Sequence, residues 1–486
     1  MAFQRLACIP LFQRLLVPVV MRSTVCDMTT KMKQSSGKPE GDISSVFASL
    51  SGDDADKPLE PRFAQLKAQI IRGHEQQVKD SWYRLLDALK REIATIRSSD
   101  QAVIPQVNFS DMKNLSSDVL NEIRTRGVMV IRGVLPEAHA VKLKRDVEEY
   151  IRQNPHTKAF PKDKPAVYEL YWSPSQIHAR ANPRVHEALA FANSFWHASP
   201  STLIGLKENI MYADRLRIRQ PGDAQFVLGP HVDGGSIERW EDPEYRSCYT
   251  PIFEGRWEES DFFDATHRVG AQMSLYNAAG GCTTFRSWQG WLSASTVSPG
   301  EGGLLVNPLL KFATSYWLLR PFLTQVEKEG DWQIDTSSIW QGAIPGRGQE
   351  MNDSWHPGLE LSTSMVSIPK VRPGDMVFWH CDTIHAVDSV HRGQTDSSVF
   401  YIPAAPFCEI NVEYLARQRD AFVHGIPPPD FPGGEGESHH VGRAVPEDVK
   451  KAGGGRAMGF EAFKIKSDMT PGEKKMILKA NTILNL

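Results

Sequence analysis

Residues 216–240 read "LRIRQPGDAQFVLGPHVDGGSIERW", and the fold turns on what that stretch is. "LRIR" alternates apolar and basic side chains, as a strand with one buried face does. "PGD" is a turn, and "FVLGP" leads into a second extended piece that ends on His231 and Asp233, ahead of Gly234 and Gly235. Residues i and i+2 of a strand project to one side, so this histidine and aspartate point the same way while the glycines turn the backbone off. A chain with 15 histidines offers roughly one His-x-Asp by chance. A second, His380-x-Asp382, is present. The tripeptide alone does not separate half of a metal site from a polar turn.

Working outward, residues 210–410 are a series of short strands set off by Gly/Pro turns: "RLRIRQPG", "TTFRSWQGWLSAS", "GGLLVNPLL", "TSMVSIP", "GDMVFWHC" and "SSVFYIPAAP". Such a series argues for a sandwich or barrel and against a parallel α/β sheet. Long insertions at about 240–270 and 312–360, rich in Trp, Asp and Glu, are expected on the rim, where specificity usually resides. Upstream, residues 61–97 carry a helical stripe of Trp82, Leu85, Leu86, Leu89, Ile93 and Ile96, broken or bent at Gly73. Leu115–Arg126 is a short helix begun by Ser116 or Ser117 and stopped by Gly127. Val128–Val134 is a β-branched strand, after which Pro136 opens a helix burying Leu143, Val147, Tyr150 and Ile151. The expected fold class is therefore α+β, and the organisation is four parts: a flexible 1–60, a helical 61–115, a main domain 116–425 and a C-terminal loop and helix 426–486.

Composition narrows the function. At 41% hydrophobic residues the chain can bury a sizeable core, and a net charge of −3 with no basic stripe argues against nucleic acid as partner. Six scattered cysteines without a C-x-x-C pair fit a reducing compartment. No apolar run reaches the ~18 residues needed to span a bilayer. The first 26 residues hold no acid but carry Arg5, Arg14 and Arg22. They read either as a mitochondrial transit peptide or as a tail. The protein is thus expected inside the cell, in the cytoplasm or in mitochondria.

A ferrous centre that activates oxygen needs three protein ligands on one face and open positions on the other, and two histidines with one carboxylate suit it. His231 and Asp233 supply two, and the third must come from a distant strand. In "RPGDMVFWHCDTIHAVDSVHRGQTDSSVFYIP" three histidines compete: His380, His385 and His391. On a regular strand His380 and His385 face opposite ways, and His391 beside Arg392-Gly393 reads as the cap of a solvent turn. The pattern G-D-x3-W-H-x-D-x-x-H, residues 374–385, selects His385.

On that pattern the chain resembles the Fe(II)/2-oxoglutarate-dependent dioxygenases, and among them the phytanoyl-CoA-hydroxylase-type enzymes and the YbiU-like proteins of bacteria and fungi. Four blocks match in order: residues 127–143, 217–235, 289–310 and 374–387, within a coverage of roughly 120–410. The resemblance implies a double-stranded β-helix (jelly-roll, cupin-like) core with flanking helices. It implies His231, Asp233 and His385 as iron ligands, 2-oxoglutarate as co-substrate, O2 as oxidant and a small organic molecule as substrate. The sequence departs from the family where an arginine beyond the distal histidine should grip the far carboxylate. The window 395–399 holds none, and Ser397 and Ser398 stand there. Carboxylate recognition asks for a guanidinium fork. Arg286, Arg392 and Arg217 are candidates beside Ser398, with Arg219 further along the same strand. The missing arginine also keeps open a cupin-like metal enzyme that does not use 2-oxoglutarate. A third reading is a non-catalytic barrel scaffold. Neither the substrate nor the oligomeric state is written in the sequence.

Overall fold

In the computed structural model, which describes residue 38 and residues 57–278, 280–326 and 331–486, the strands pair into two large sheets and two small ones. The larger has eight strands in the order β1 (Gln106–Asn108), β2 (Val128–Arg132), β14 (Met376–His380), β8 (Trp288–Ser293), β16 (Ser397–Tyr401), β6 (Leu216–Arg219), β4 (Val167–Tyr168) and β3 (Ala159–Phe160). The smaller has five, β12 (Gln349–Glu350), β7 (His231–Val232), β15 (His385–Val387), β9 (Leu304–Val306) and β13 (Val366–Ser367). Two-stranded pairs join β10 (Leu323–Gln325) to β11 (Trp332–Ile334) and β17 (Pro406–Cys408) to β5 (Ile204–Asn209). The β1–β2 pair is parallel and the rest are antiparallel. The chain is a mixed α+β protein, and every strand block expected between 210 and 410 contributes a strand.

Alternation fixes which side chains face inward. In register, Trp379 lies opposite Gln289, Val377 opposite Trp291 and Val399 opposite Arg217. Residues 217, 289, 291, 379 and 401 thus share one face of the large sheet and line a cavity. The opposite face meets helices, where Trp288 Nε1 donates to Ala192 O at 2.7 Å. His231, Leu304, His385 and Val387 of the small sheet line the same cavity, which therefore lies between the two sheets.

The helical stripe of 61–97 forms two helices, Pro61–Ile70 and Glu75–Ser99, with Gly73 between them at φ +81°. The next helix, Ser117–Arg126, is capped by the Ser116 hydroxyl and closed by Gly127 in the left-handed region. The insertions depart from expectation. Residues 240–270 and 312–360 form short helices and strands packed on the Glu75–Ser99 helix and around it. Trp82 stacks on Tyr316 at 4.8 Å and meets Trp332 edge-on at 5.1 Å, and Trp257 Nε1 donates to Ser81 O. None of these segments lines the cavity. Their tryptophans are apolar payload buried against a helix, not recognition surface.

The described residues from 57 to 486 belong to one compact unit. The N-terminal helices share a core with the sheets, and the C-terminal segment builds a second apolar cluster with Tyr171, Trp172 and Tyr212. The basic, acid-free N-terminus, Met1–Arg22 with its neighbours, and the apolar "VFASL" of 46–50 lie outside the described residues. Among the described residues no helix is long and apolar enough to cross a membrane.

Candidate metal centre

His231 on β7 and His385 on β15 are direct cross-strand partners, which brings their rings to 4.2 Å between centroids. Asp233, two residues past His231, returns its carboxylate to the same point. His231 Nε2 is 3.5 Å from Asp233 Oδ1 and His385 Nε2 is 4.0 Å from Oδ2. The backbone sets both tautomers. His231 Nδ1 lies 2.7 Å from Gly229 O and His385 Nδ1 lies 3.1 Å from Thr383 O. A carbonyl only accepts, so each Nδ1 carries the proton and each Nε2 turns a lone pair toward Asp233. That is how metal-binding imidazoles are held. The three donor atoms lie within 4.8 Å of one another, so the set fits a divalent cation.

Charge at the site is poised for that role. Burial opposes ionisation of Asp233, yet His385, His231, Arg286 and Arg215 hold its carboxyl well below the usual carboxylate range. Burial, with His231 beside it, pulls His385 down to about 3. A neutral imidazole and an ionised carboxylate are the forms that ligate.

Both ligand turns are anchored from behind. Buried Arg239 donates to Asp233 O and Gly235 O, and Tyr245 Oη donates to Gly234 O at 2.9 Å. Gly234 and Gly235 have φ +82° and +91°, and a Cβ on Gly235 would meet Met273 O at 2.7 Å. On the other side Thr383 Oγ1 donates to Gly127 O at 3.0 Å. The second His-x-Asp is part of this scaffold. Asp382 accepts from Arg268 at 2.5 Å and from Tyr249 Oη at 2.8 Å, while His380 stacks on Trp196 and bonds Phe262 O. With Cys381 its atoms also lie close enough together to hold an ion, but both ring nitrogens of His380 are already engaged, Nδ1 by Asp382 N and Nε2 by Phe262 O.

The cavity in front of the triad encloses about 140 Å³, roughly ten times the ~10–15 Å³ that one water needs. Arg217 and Arg286 line it. Arg217 is 2% exposed, donates to Ser397 Oγ at 3.3 Å, and its Nε has no partner among the described residues. It stands opposite Val399, so β6 places a guanidinium beside the window 395–399, which holds none. Arg286 donates to Asp233 Oδ2 at 3.4 Å. Two candidates fall away from the cavity. Arg392 is exposed, and Ser398, one residue off the inward face, bonds Asp396 and Ser295 on the other side of the sheet. Arg219 is tied to Asp223 and to the Asp388 carbonyl. His391 caps a turn, accepting from Gly393 N, but is buried instead of facing solvent. Trp291 and Trp379 line the cavity as well.

The sequence reading missed Arg215, which shares parity with Arg217 one step before the strand begins. It also missed the outer wall: Tyr212, Gly281, Cys282, and Asp430 with Phe431 from the C-terminal loop. "PPPDFPGG" reads as a solvated loop, and only the fold brings it here. Asp430 is tied down by Tyr212 Oη at 3.0 Å and by Thr283.

The chain matches the Gig2-like family model over residues 57–460. The Escherichia coli K12 protein YbiU is 32% identical over 411 residues, covering 82% of this chain and 94% of that protein. The crystal structure of GlcNAc Inducible Gene 2 from Candida albicans superposes with a TM-score of 0.82 at 33% identity, covering 88% of this chain and 96% of that one. A Salmonella typhimurium LT2 structure, named "Putative Oxidoreductase", superposes at 0.72 with 31% identity, covering 83% and 99%.

Proposed function

The chain belongs to the Gig2-like family, and from that premise we propose that it is a non-haem Fe(II)- and 2-oxoglutarate-dependent oxygenase acting on a small organic molecule. The observation that carries the proposal is the facing pair of imidazoles, Nδ1 bound to backbone and Nε2 turned to Asp233, at a cavity that also holds Arg217. The name of the Salmonella relative supports an oxidoreductase. The two facing sheets support a double-stranded β-helix of the phytanoyl-CoA-hydroxylase type, with the triad where β7 meets β15.

His231, Asp233 and His385 hold the metal on one face. An intact aspartate favours hydroxylation over halogenation, in which a halide must take the carboxylate's place. Bound there, iron with 2-oxoglutarate and O2 supplies a two-electron oxidation of substrate coupled to decarboxylation of the co-substrate to succinate. Arg217 takes the far carboxylate of 2-oxoglutarate with the guanidinium donors not engaged by Ser397, the fork that such a group requires. Trp291 and Trp379 exclude water from the space between. Arg239, Tyr245 and the Arg268–Asp382 pair fix the two ligand turns.

Calorimetric titration of 2-oxoglutarate into Mn(II)-loaded protein tests this reading. The parent binds, and Arg217→Gln weakens binding by about 10- to 100-fold, the value of a charge-assisted hydrogen-bonded contact. Arg392→Ala and Ser398→Ala leave it unchanged. A protein that takes up metal and ignores 2-oxoglutarate is a cupin-like enzyme of another kind.

A further inference from the structure

The outer half of the cavity carries cations that a metal and 2-oxoglutarate do not use. On the reading above, Fe(II), Asp233, doubly charged 2-oxoglutarate and Arg217 cancel. Arg215 and Arg286 remain. Arg286 lines the cavity, spends one N–H on Asp233 at 3.4 Å and packs over the Tyr212 ring at 5.5 Å, and among the described residues its Nη1 and Nε have no hydrogen-bond acceptor. The Arg215 guanidinium reaches Asp214 through Nε at 3.4 Å and lies over the Phe431 ring at 5.0 Å, and neither Nη atom has an acceptor among the described residues. Neither aspartate on the same wall takes up these donors. Asp214 Oδ1 accepts from the Arg215 backbone N–H at 2.7 Å, and Asp430 is occupied by Tyr212 and Thr283. Lys38, buried at the rim on the Ala278 carbonyl, supplies a counter-charge to Asp430. Among the described residues that line or flank this wall, Arg215, Arg286 and Lys38 stand with Asp214 and Asp430, beside an apolar surface of Tyr212, Pro403 and Phe431.

We infer that the primary substrate is a small organic monoanion, a carboxylic acid with an apolar body, whose carboxylate is gripped by Arg215 and Arg286 while the body lies against Tyr212 and Phe431. The inference rests on the assignment of Arg217 to the co-substrate. Two planar forks converging on one cavity match a carboxylate bidentately, as ammonium groups would not. Aromatic rings behind both guanidiniums hold them in place without neutralising them. Arg286 touches Asp233, so substrate would be seated close to the metal.

The test uses Mn(II)-loaded full-length protein saturated with 2-oxoglutarate and titrated calorimetrically with phenylacetate against phenylacetamide and hexanoate against hexanamide. At least one acid is expected to outbind its amide by tenfold or more. Arg215→Gln and Arg286→Gln should each erase that preference, and Arg215→Lys, which keeps the charge but not the fork, should retain part of it. Melting curves show that each variant is folded. Equal binding of acid and amide across the panel overturns the inference, as does a preference that survives both glutamine variants. Acids that bind only by displacing 2-oxoglutarate assign these arginines to the co-substrate, which overturns the inference and leaves the oxygenase reading standing. If 2-oxoglutarate itself fails to bind, the oxygenase reading fails, and the acid-over-amide preference is measured in its absence.

Discussion

Asp233 stands between two imidazoles and a guanidinium, and its ionisation sets how the site meets a metal. Because Asp233 is held well below the usual range and His385 is pulled down to about 3, neither takes a proton above pH 4.5. Protons compete with metal for ligands, and neither Asp233 nor His385 is lost to a proton over that range. Mn(II) affinity should then fall by no more than one decade per pH unit between pH 6 and 4.5. A two-decade slope in that titration would show that His385 or Asp233 takes up a proton there. At this scale the sequence was legible where chemistry has a spacing: the His-x-Asp pair and the distal His385 were visible in it. Arg217 was visible only as a candidate, since its partner strand β16 lies 180 residues away from it at Ser397. Arg215 was not, because a residue before the first paired position shows no periodicity of its own.

Elements place those residues. Strands β6, β8, β9, β13, β14 and β16 were readable because alternation and turn residues are local signals. Their pairing was not, since register across the 231–385 separation depends on side chains packing from distant segments. The insertions were misjudged for a related reason: aromatic content signals burial without saying against what. The turn after β7 yields a sharper test. Gly235→Ala puts a Cβ 2.7 Å from the Met273 carbonyl at φ +91°, whereas Gly222→Ala, at φ +77°, meets nothing within 4 Å. A left-handed residue costs about 1–3 kcal/mol on its own. Gly222→Ala should lose about that much stability and keep metal affinity. Gly235→Ala should lose more and bind metal at least tenfold more weakly, because the clash moves Asp233. Equal metal affinity in the two variants would detach the turn from the site.

For the whole molecule, the C-terminal segment closes one wall of the cavity and is itself fastened by a buried glutamate. Glu437 Oε2 accepts from Tyr171 N and Trp172 N, each at 2.8 Å, and Oε1 lies 3.2 Å from Tyr150 Oη, which in turn contacts His440 Nδ1 at 3.1 Å. Burial pushes its carboxyl up to about 7, against the pull of those hydrogen bonds and Arg180. The folded protein therefore keeps a proton between about pH 4.5 and 7 that the unfolded chain releases, and this residue's contribution to stability declines as pH rises through that window. Glu437→Gln should flatten the decline, by up to about 3 kcal/mol at neutrality, in denaturant titrations at pH 5 and 7.5; an identical pH dependence in the variant would contradict it. On the proposed function, His231, Asp233 and His385 hold iron that 2-oxoglutarate chelates. Anaerobic addition of Fe(II) and 2-oxoglutarate tests it, by the weak visible charge-transfer band of the chelate. The band should form in the parent and be absent in His231→Ala and His385→Ala. Iron bound without a band, or a band that survives loss of either histidine, would contradict the account.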